Sequence, residues 1–186
     1  TIIAGCTDGI YLSSDNGGNW LSGNAAFAKA IDIGNINPFF GMKLYTSSSK
    51  VYASVSGNKK NEIAYTADAG QTWTAVPLTG ITTKNYFQPA FAVFKDKLFV
   101  VANKYIWLSA DDGKTWQLSD SVSLANGSPT NGTPEFFNDA NTILYLYRSQ
   151  QLLTLSEAGK LTPASIVGLP TKHYWDADRL CKVGTK

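Results

Sequence analysis

The chain is predicted to be an all-β protein built from a repeated four-stranded unit, and three observations predict this class. A short motif containing Asp, Gly and Trp occurs three times and, in a weaker form, a fourth time, at residues 13–20, 66–73, 109–116 and 155–162. The acidic residues of successive copies are 53, 43 and 46 residues apart. Runs of β-branched and aromatic residues surround each copy. A period near 45 residues with this patterning is typical of β-propeller blades, each a four-stranded antiparallel sheet.

The third unit shows the four strands most clearly. Residues 90–94 form a predicted strand A, and a tight turn at Lys95-Asp96 leads to strand B at residues 97–102. Strand C is predicted at residues 105–109 and strand D at residues 116–118, because β-branched and aromatic residues dominate these runs. The motif therefore lies in the turn between strands C and D.

The other units repeat this scheme with one difference. In the second unit strands B and C are predicted at residues 51–56 and 62–66, and in the fourth at residues 142–147 and 151–155. The first unit begins directly with strand B at residues 1–6, so its strand A must come from elsewhere.

The motif residues have a structural explanation. A short Asp side chain bonds backbone N–H groups of its own turn, and Gly supplies a positive φ where a Cβ atom would clash. Ser or Thr adds a hydroxyl bond, and Trp adds a large buried anchor. We assign this structural role to Ser13, Asp15, Gly17, Trp20, Thr66, Asp68, Gly70, Trp73, Ser109, Asp111, Gly113 and Trp116.

The pattern SxDxGxTW of the third copy resembles the Asp-box or BNR repeat. This repeat is found in sialidases, xyloglucan-active glycoside hydrolases, sortilin-type receptors and a photosystem assembly factor. Three full copies and one weak copy, with Glu157 in the Asp place and no Trp, extend over essentially the whole chain. The resemblance implies a β-propeller of about four blades, or a fragment of a larger one, and leaves the activity open.

Ring closure is expected to use the C-terminal residues. Residues 174–183 form a strand-like run that can pair with residues 1–6 and complete the first blade, which hides the edge strands. Closure brings Cys6 and Cys181 onto neighbouring strands, so a disulfide between them is one possibility and two free buried thiols are the other. If the chain is a fragment, the same run opens a further blade.

Composition limits the partners. Sixteen basic and fourteen acidic residues give a net charge of +2, and the longest basic run is Lys59-Lys60, so nucleic acid is not an expected partner. No apolar run approaches the roughly 20 residues of a membrane span. The first residues lack a secretion-signal pattern, so the start is expected to be processed or truncated. Few charges and many Ser, Thr, Asn and Gly residues favour a secreted, extracellular or periplasmic protein.

Ligand binding is expected on the face opposite the motifs. In an A-B-C-D meander the C to D turns share one face with the A to B turns, and the long connections at residues 22–38, 77–86, 118–135 and 163–174 lie on the other. His173, Tyr174 and Trp175 place the single His beside two aromatic rings on which a sugar or peptide can stack, or else pack between blades. Further candidates by loop position are Tyr86, Asp8, Arg148, Asn35, Asn37 and Lys60.

Several chemistries are disfavoured. A sialidase needs an arginine triad, and the chain has only Arg148 and Arg179. No metal-ligand spacing occurs, so neither a metal nor another cofactor is expected. Glycoside hydrolysis needs only two suitably spaced carboxyl groups. The acids outside the motifs that could serve are Asp8, Asp32, Asp120, Glu135, Asp176 and Asp178.

The sequence thus favours a non-enzymatic binding or assembly module that recognises a glycan or an extracellular protein. The alternative is a glycoside hydrolase of the Asp-box kind, or a fragment of one. A third possibility is a subunit of a larger assembly whose blades complete one another, which would make its stability depend on concentration.

Overall fold

The computed structural model describes residues 1–31, 40–56, 61–81, 90–102, 105–121, 135–138, 144–148 and 151–164. The chain divides into two compact units, Thr1–Thr79 and Gly80–Lys186. Fifteen strands and one helix lie in the described ranges, and all strand pairs are antiparallel. The all-β class is therefore confirmed, while a single domain over residues 1–186 stays a prediction.

The first unit contains two sheets. The first sheet has three strands in the order β1-β2-β3, namely β1 Ile2–Cys6, β2 Gly9–Ser13 and β3 Leu21–Ser22. The second sheet has four strands in sequence order, namely β4 Phe40–Thr46, β5 Val51–Ser56, β6 Asn61–Thr66 and β7 Thr74–Ala75. The first sheet, which corresponds to the first copy of the repeat, thus begins at strand B, as predicted.

The second unit also contains two sheets, each of four strands in sequence order. The third sheet consists of β8 Ala90–Phe94, β9 Lys97–Ala102, β10 Tyr105–Ser109 and β11 Gln117–Ser121. The fourth sheet consists of β12 Glu135–Asn138, β13 Leu144–Arg148, β14 Gln151–Leu155 and β15 Leu161–Pro163. These sheets confirm the predicted A-B-C-D meander.

The predicted Lys95-Asp96 turn joins β8 to β9. Both residues have positive φ, 48° and 59°, as in the type I′ turns that suit two-residue hairpins. Strand D of the third sheet begins at Gln117, one residue later than predicted.

The helix α1, Asn24–Ala30, was not predicted. Its sequence contains four Ala residues, which favour helix strongly. Phe27 and Ile31 lie one turn apart, and both are buried. The helix therefore occupies part of the connection that was predicted as a long loop, and it presents these two side chains to the core of the first unit.

Each unit has a core in which two sheets pack face to face. In the first unit Ile10, Phe27 and Ile31 pack against Ala53, Val55 and Ala64 of the second sheet and against Trp73, which directly precedes β7. Gly5 of β1 lies so close to β4 that an added Cβ atom would be 2.9 Å from Met42 Sδ. A larger residue at this position would therefore require the Met42 side chain to shift.

The core of the second unit is built in the same way. One face of the third sheet, including Phe99, Val101 and Ile106, packs against Leu153 and Leu155 of the fourth sheet. In both units a repeat therefore buries an apolar face against its neighbour, as expected for a repeat protein.

Ring closure by residues 174–183 lies outside the described residues and stays a prediction. Cys6 is exposed and its thiol is free in this structure. Cys181 also lies outside the described residues, so the disulfide between Cys6 and Cys181 is not tested.

Candidate functional site

The second Asp box, residues 66–73, shows how its aspartate is held. Asp68 Oδ1 accepts hydrogen bonds from Thr66 Oγ1 at 2.7 Å and from the Thr72 amide at 2.9 Å. Its Oδ2 accepts a bond from Thr72 Oγ1 at 2.6 Å. Thr66 Oγ1 accepts in turn from the Gly70 amide at 2.8 Å. Both carboxylate oxygens are therefore engaged within the turn.

The first and third boxes repeat this network. In the first box the partners of Asp15 are Ser13 Oγ, at 2.9 Å, and both nitrogens of Asn19, at 2.8 and 2.7 Å. In the third box Asp111 accepts from Ser109 Oγ at 2.8 Å and from Thr115 N and Oγ1 at 2.9 and 2.6 Å. Asn19 thus replaces the Thr hydroxyl with an amide donor at the one divergent position.

Backbone geometry explains the glycine of each box. The two residues that follow each aspartate have positive φ, at 58° and 94° in the first box and at 59° and 89° in the second. Glycine adopts this conformation without steric cost, whereas Asn16 and Ala69 adopt it under the constraint of the turn.

These hydrogen bonds lower the pKa of all three box aspartates to about 2. For Asp15 the largest cause is the backbone amide of Asn19, and for Asp68 and Asp111 it is the hydroxyl of Thr72 and Thr115. Hydrogen bonds to a carboxylate favour its charged form. The bonds support the structural assignment, and the carboxylates are poor candidates for general acids.

The degenerate fourth box forms a different turn. Glu157 does not bond within its own turn; its carboxylate pairs with Lys95, in the tight turn of the third sheet. Lys97 Nζ also donates to the Glu157 carbonyl at 3.0 Å. The pKa of Glu157 is lowered, first by the hydrogen bond from Lys95. Glu157 therefore ties two neighbouring sheets together rather than stabilising its own loop.

The box tryptophans differ in burial. Trp73 is 8% exposed and lies edge-on to Phe27, with ring centroids 5.1 Å apart. Trp20 is 42% exposed, so the expectation of a buried anchor is wrong for this copy. Trp73 packs with Ile10 of the first sheet and Phe27 of α1, whereas the Trp20 side chain lies at the surface and donates to the Gly17 carbonyl. Trp116 is half-buried.

Most of the predicted ligand-binding residues remain untested. His173, Tyr174, Trp175, Tyr86, Asn35, Asn37 and Lys60 lie outside the described residues. Arg148 ends β13, but its side chain is not among those described. Asp8 is the one ligand-binding candidate whose side chain the structure describes.

Asp8 lies in the turn between β1 and β2, at the end of the sheet opposite the first box. The Tyr11 hydroxyl donates to Asp8 Oδ2 at 2.7 Å, and this bond is the main cause of the raised pKa of Tyr11. Asp8 is exposed. Within the part of the chain that the structure describes, its Oδ1 accepts no hydrogen bond.

Asn24, the first residue of α1, fixes this turn. Its Oδ1 accepts from the Ile10 amide at 2.7 Å, and its Nδ2 donates to the Asp8 carbonyl at 3.1 Å. Gly9 has φ of +138°, and a Cβ atom there would lie 1.9 Å from Asn24 Oδ1. Neither Tyr11 nor Asn24 was predicted from the sequence as part of this turn. The available signal for the turn was the Asp8-Gly9 dipeptide between two apolar runs.

Asp120 is the other described acid among those considered for hydrolysis. Its Oδ2 accepts from the Leu161 amide of the fourth sheet at 2.9 Å, and its Oδ1 accepts from the Ser121 amide at 2.8 Å. The bond from Leu161 is the main cause of its lowered pKa. Asp32, Asp176 and Asp178 lie outside the described residues, as does the side chain of Glu135.

The described residues contain no group of three His, Cys, Asp or Glu side chains that could hold a metal ion. None of their helices is long and apolar enough to cross a membrane.

Comparisons with known proteins identify the fold. No protein-family model and no curated protein matches the chain. Among solved structures, YCF48 from Cyanidioschyzon merolae is similar with a TM-score of 0.58 and 14% identity, over 83% of this chain and 48% of that one. The GH74 enzyme from Niastella koreensis has a TM-score of 0.51 and 18% identity, over 82% of this chain and 26% of that one.

A third structure, NanB sialidase from Streptococcus pneumoniae, has a TM-score of 0.49 and 15% identity, over 83% of this chain and 27% of that one. The chain thus spans about half of the YCF48 structure and about a quarter of the two enzymes. YCF48 and the GH74 enzyme, the two structures with the higher TM-scores, are Asp-box β-propeller proteins. The chain therefore has the fold of the Asp-box β-propellers that its repeated motif predicts.

Proposed function

We propose that this chain is a non-enzymatic binding or assembly module that recognises a protein or glycan partner outside the cytoplasm. The observation that carries the proposal is the preformed turn at Asp8, which presents an exposed carboxylate beside a tyrosine hydroxyl. It lies at the end of the first sheet opposite the Asp box. Loops and turns held by a rigid scaffold are where binding residues concentrate.

The turn is held in place by contacts within the chain. Asn24 holds it from α1 with two hydrogen bonds, and Gly9 fits where any larger residue would collide with the Asn24 amide. A rigid site loses little conformational entropy on binding, which favours recognition. Asp8 and Tyr11 together offer a charged acceptor and a hydroxyl, groups that bond sugar hydroxyls and peptide amides equally well.

The carboxyl groups support binding over hydrolysis. A glycosidase needs one acid whose pKa is raised and a second carboxylate nearby. In the described part of the chain, the pKa shifts that are resolved for carboxyl groups have the opposite direction. The pKa is lowered for Asp15, Asp68, Asp111, Asp120 and Glu157. Each of these groups is held by hydrogen bonds that favour its charged form.

A glycan array, an extracellular-protein array and a polysaccharide hydrolysis panel test the proposal together. We expect saturable binding without release of reducing sugar. Asp8→Ala and Tyr11→Phe should weaken binding about tenfold or more. Each change removes one partner of the charge-assisted hydrogen bond between the Tyr11 hydroxyl and the Asp8 carboxylate. Ser14→Ala, an exposed change at the opposite end of the sheet, is the matched control and should leave binding unchanged. The turn should persist in Asp8→Ala, because Asn24 bonds the backbone.

Two outcomes would overturn the proposal. Absence of binding on both arrays is one. The other is hydrolysis of a polysaccharide that is abolished by Asp120→Asn or Asp176→Asn, which would establish the glycoside hydrolase instead.

A further inference from the structure

The first Asp box contains a chemically reactive pair, Asn16-Gly17. The backbone nitrogen of the residue that follows an Asn can attack the side-chain amide carbon of that Asn. Glycine in the second place offers no Cβ atom to hinder the attack. The second box has Ala69-Gly70 at the same place, so the reaction is not possible there. The pair is therefore a feature of the first copy and not a requirement of the repeat.

The turn holds the attacking nitrogen. The Gly17 N–H donates to Ser13 Oγ at 2.8 Å, and Ser13 Oγ donates to Asp15 Oδ1 at 2.9 Å. The carboxylate thus orients the hydroxyl so that a lone pair of its oxygen accepts the Gly17 N–H. Ser13 is buried, which shields this bond from water. Because attack requires that Gly17 lose its N–H proton, the closed turn withholds the nucleophile.

The amide that would be attacked is accessible. Asn16 is exposed and has φ of 58°. Ala69 has φ of 59° at the equivalent position of the second box, so the turn adopts this conformation with either side chain. The group that the turn controls is therefore the Gly17 nitrogen and not the Asn16 side chain.

We propose that Asn16 is a deamidation site whose reaction is blocked by the closed Asp box and proceeds when the turn opens. The Gly17 nitrogen gives up its proton and forms a bond to Asn16 Cγ. The bond from Cγ to the side-chain nitrogen breaks, and this nitrogen takes up the proton and leaves as ammonia. Water then opens the resulting succinimide at either carbonyl, which gives aspartate or isoaspartate. The net change is gain of water and loss of ammonia, so no other reactant is needed.

The modification leaves a lasting change in the turn. Both products place a new carboxylate beside Asp15, whose lowered pKa keeps it ionised at neutral pH, and the two like charges repel. Isoaspartate also lengthens the backbone before Gly17 by one carbon atom, which displaces the Gly17 N–H from Ser13 Oγ. A deamidated chain therefore carries a chemical record that its first Asp box has been open.

Peptide mass spectrometry after incubation near neutral pH tests the proposal, since deamidation raises the mass of the peptide that contains Asn16 by about 1 Da. We expect the folded chain to react at least about tenfold more slowly than the chain in guanidinium chloride, because only the open turn reacts. Ser13→Ala removes the acceptor of the Gly17 N–H and should speed the reaction in the folded chain. Ser14→Ala, an exposed change beside it, is the matched control and should not. Asn16→Ala should abolish the mass change.

Hydrogen exchange of the Gly17 amide gives a second test that needs no variant. Exchange and deamidation require the same opening of the turn, so folding should slow both reactions by about the same factor. Equal deamidation rates in the folded and unfolded chains would overturn the proposal. So would a folded Ser13→Ala chain that deamidates as slowly as the unaltered chain, or Gly17 exchange that is strongly slowed while deamidation is not.

Discussion

Replacing Trp73 and Trp20 separately by alanine tests the packing of one sheet on the next. The two residues hold the same place in the repeat, but Trp73 is 8% exposed and Trp20 42%. Trp73→Ala removes a buried indole that lies edge-on to Phe27. Its indole N–H has no hydrogen-bond partner, so packing alone is lost. Large aromatic to alanine changes in a core cost about 3–5 kcal/mol.

Trp20→Ala should cost no more than about 1 kcal/mol, because the side chain is half in solvent and its hydrogen bond to the Gly17 carbonyl is exposed. Urea unfolding followed by circular dichroism at neutral pH measures both values. Trp73→Phe serves as a second control, since it keeps an aromatic ring against Phe27 while removing the N–H and part of the indole ring, and it should therefore cost less stability than Trp73→Ala. Equal losses of stability in Trp73→Ala and Trp20→Ala would contradict the conclusion that Trp73 lies at an interface between two sheets and Trp20 does not.

Three further changes test single contacts. Gly70→Ala should lower stability by about 1–3 kcal/mol more than Gly80→Ala. The two glycines have nearly the same φ, +89° and +87°, but only at Gly70 would the new Cβ atom meet a neighbour, Leu12 Cδ2 at 2.6 Å. Equal losses of stability in thermal unfolding would show that backbone strain alone matters. Asn24→Ala should cost about 1–3 kcal/mol by leaving a partly buried amide unpaired, and hydrogen exchange at Ile10 should accelerate; unchanged exchange would contradict the role of Asn24 in the turn. Asp120→Ala should lower the thermal unfolding midpoint above pH 4, and its difference from the natural chain should shrink at lower pH. The pKa of Asp120 is lowered in the folded state, so the stabilisation that its carboxylate gives is lost as the carboxylate is protonated. A difference that does not depend on pH would contradict this.

The repeated motif determined how much of the fold could be predicted. Its spacing placed the C to D turns, and the apolar runs located β5, β8, β9, β10 and β14 with their observed bounds. These features are local, since a turn and its flanking strands are encoded within about 20 residues. It was also readable from the sequence that β1 is a strand B, because the first apolar run aligns with strand B of the other copies.

Features that depend on neighbours were not predictable. The motif contains Trp20 and Trp73 in the same place, and only the packing of sheets shows that one is exposed and the other buried. Helix α1 has no side-chain cap that could have marked its start. The bond from Ile10 to Asn24 joins residues 14 positions apart, so the ordering of the Asp8 turn becomes visible only in three dimensions.

Asp15, Asp68, Asp111 and Asp120 hold turns and sheets together through hydrogen bonds to their carboxylates, and none of these four groups is poised for acid–base chemistry. Side-chain carboxyl titration by carbon NMR tests this most directly. The account predicts that Asp15, Asp68 and Asp111 titrate near 2 and that Asp120 titrates below its usual range. Because these values lie below the roughly 3.9 of an unfolded aspartate, the stabilisation is complete above about pH 4 and is lost as the pH falls toward 2. A pKa raised toward about 6 at any of the four would identify a general acid and contradict the account.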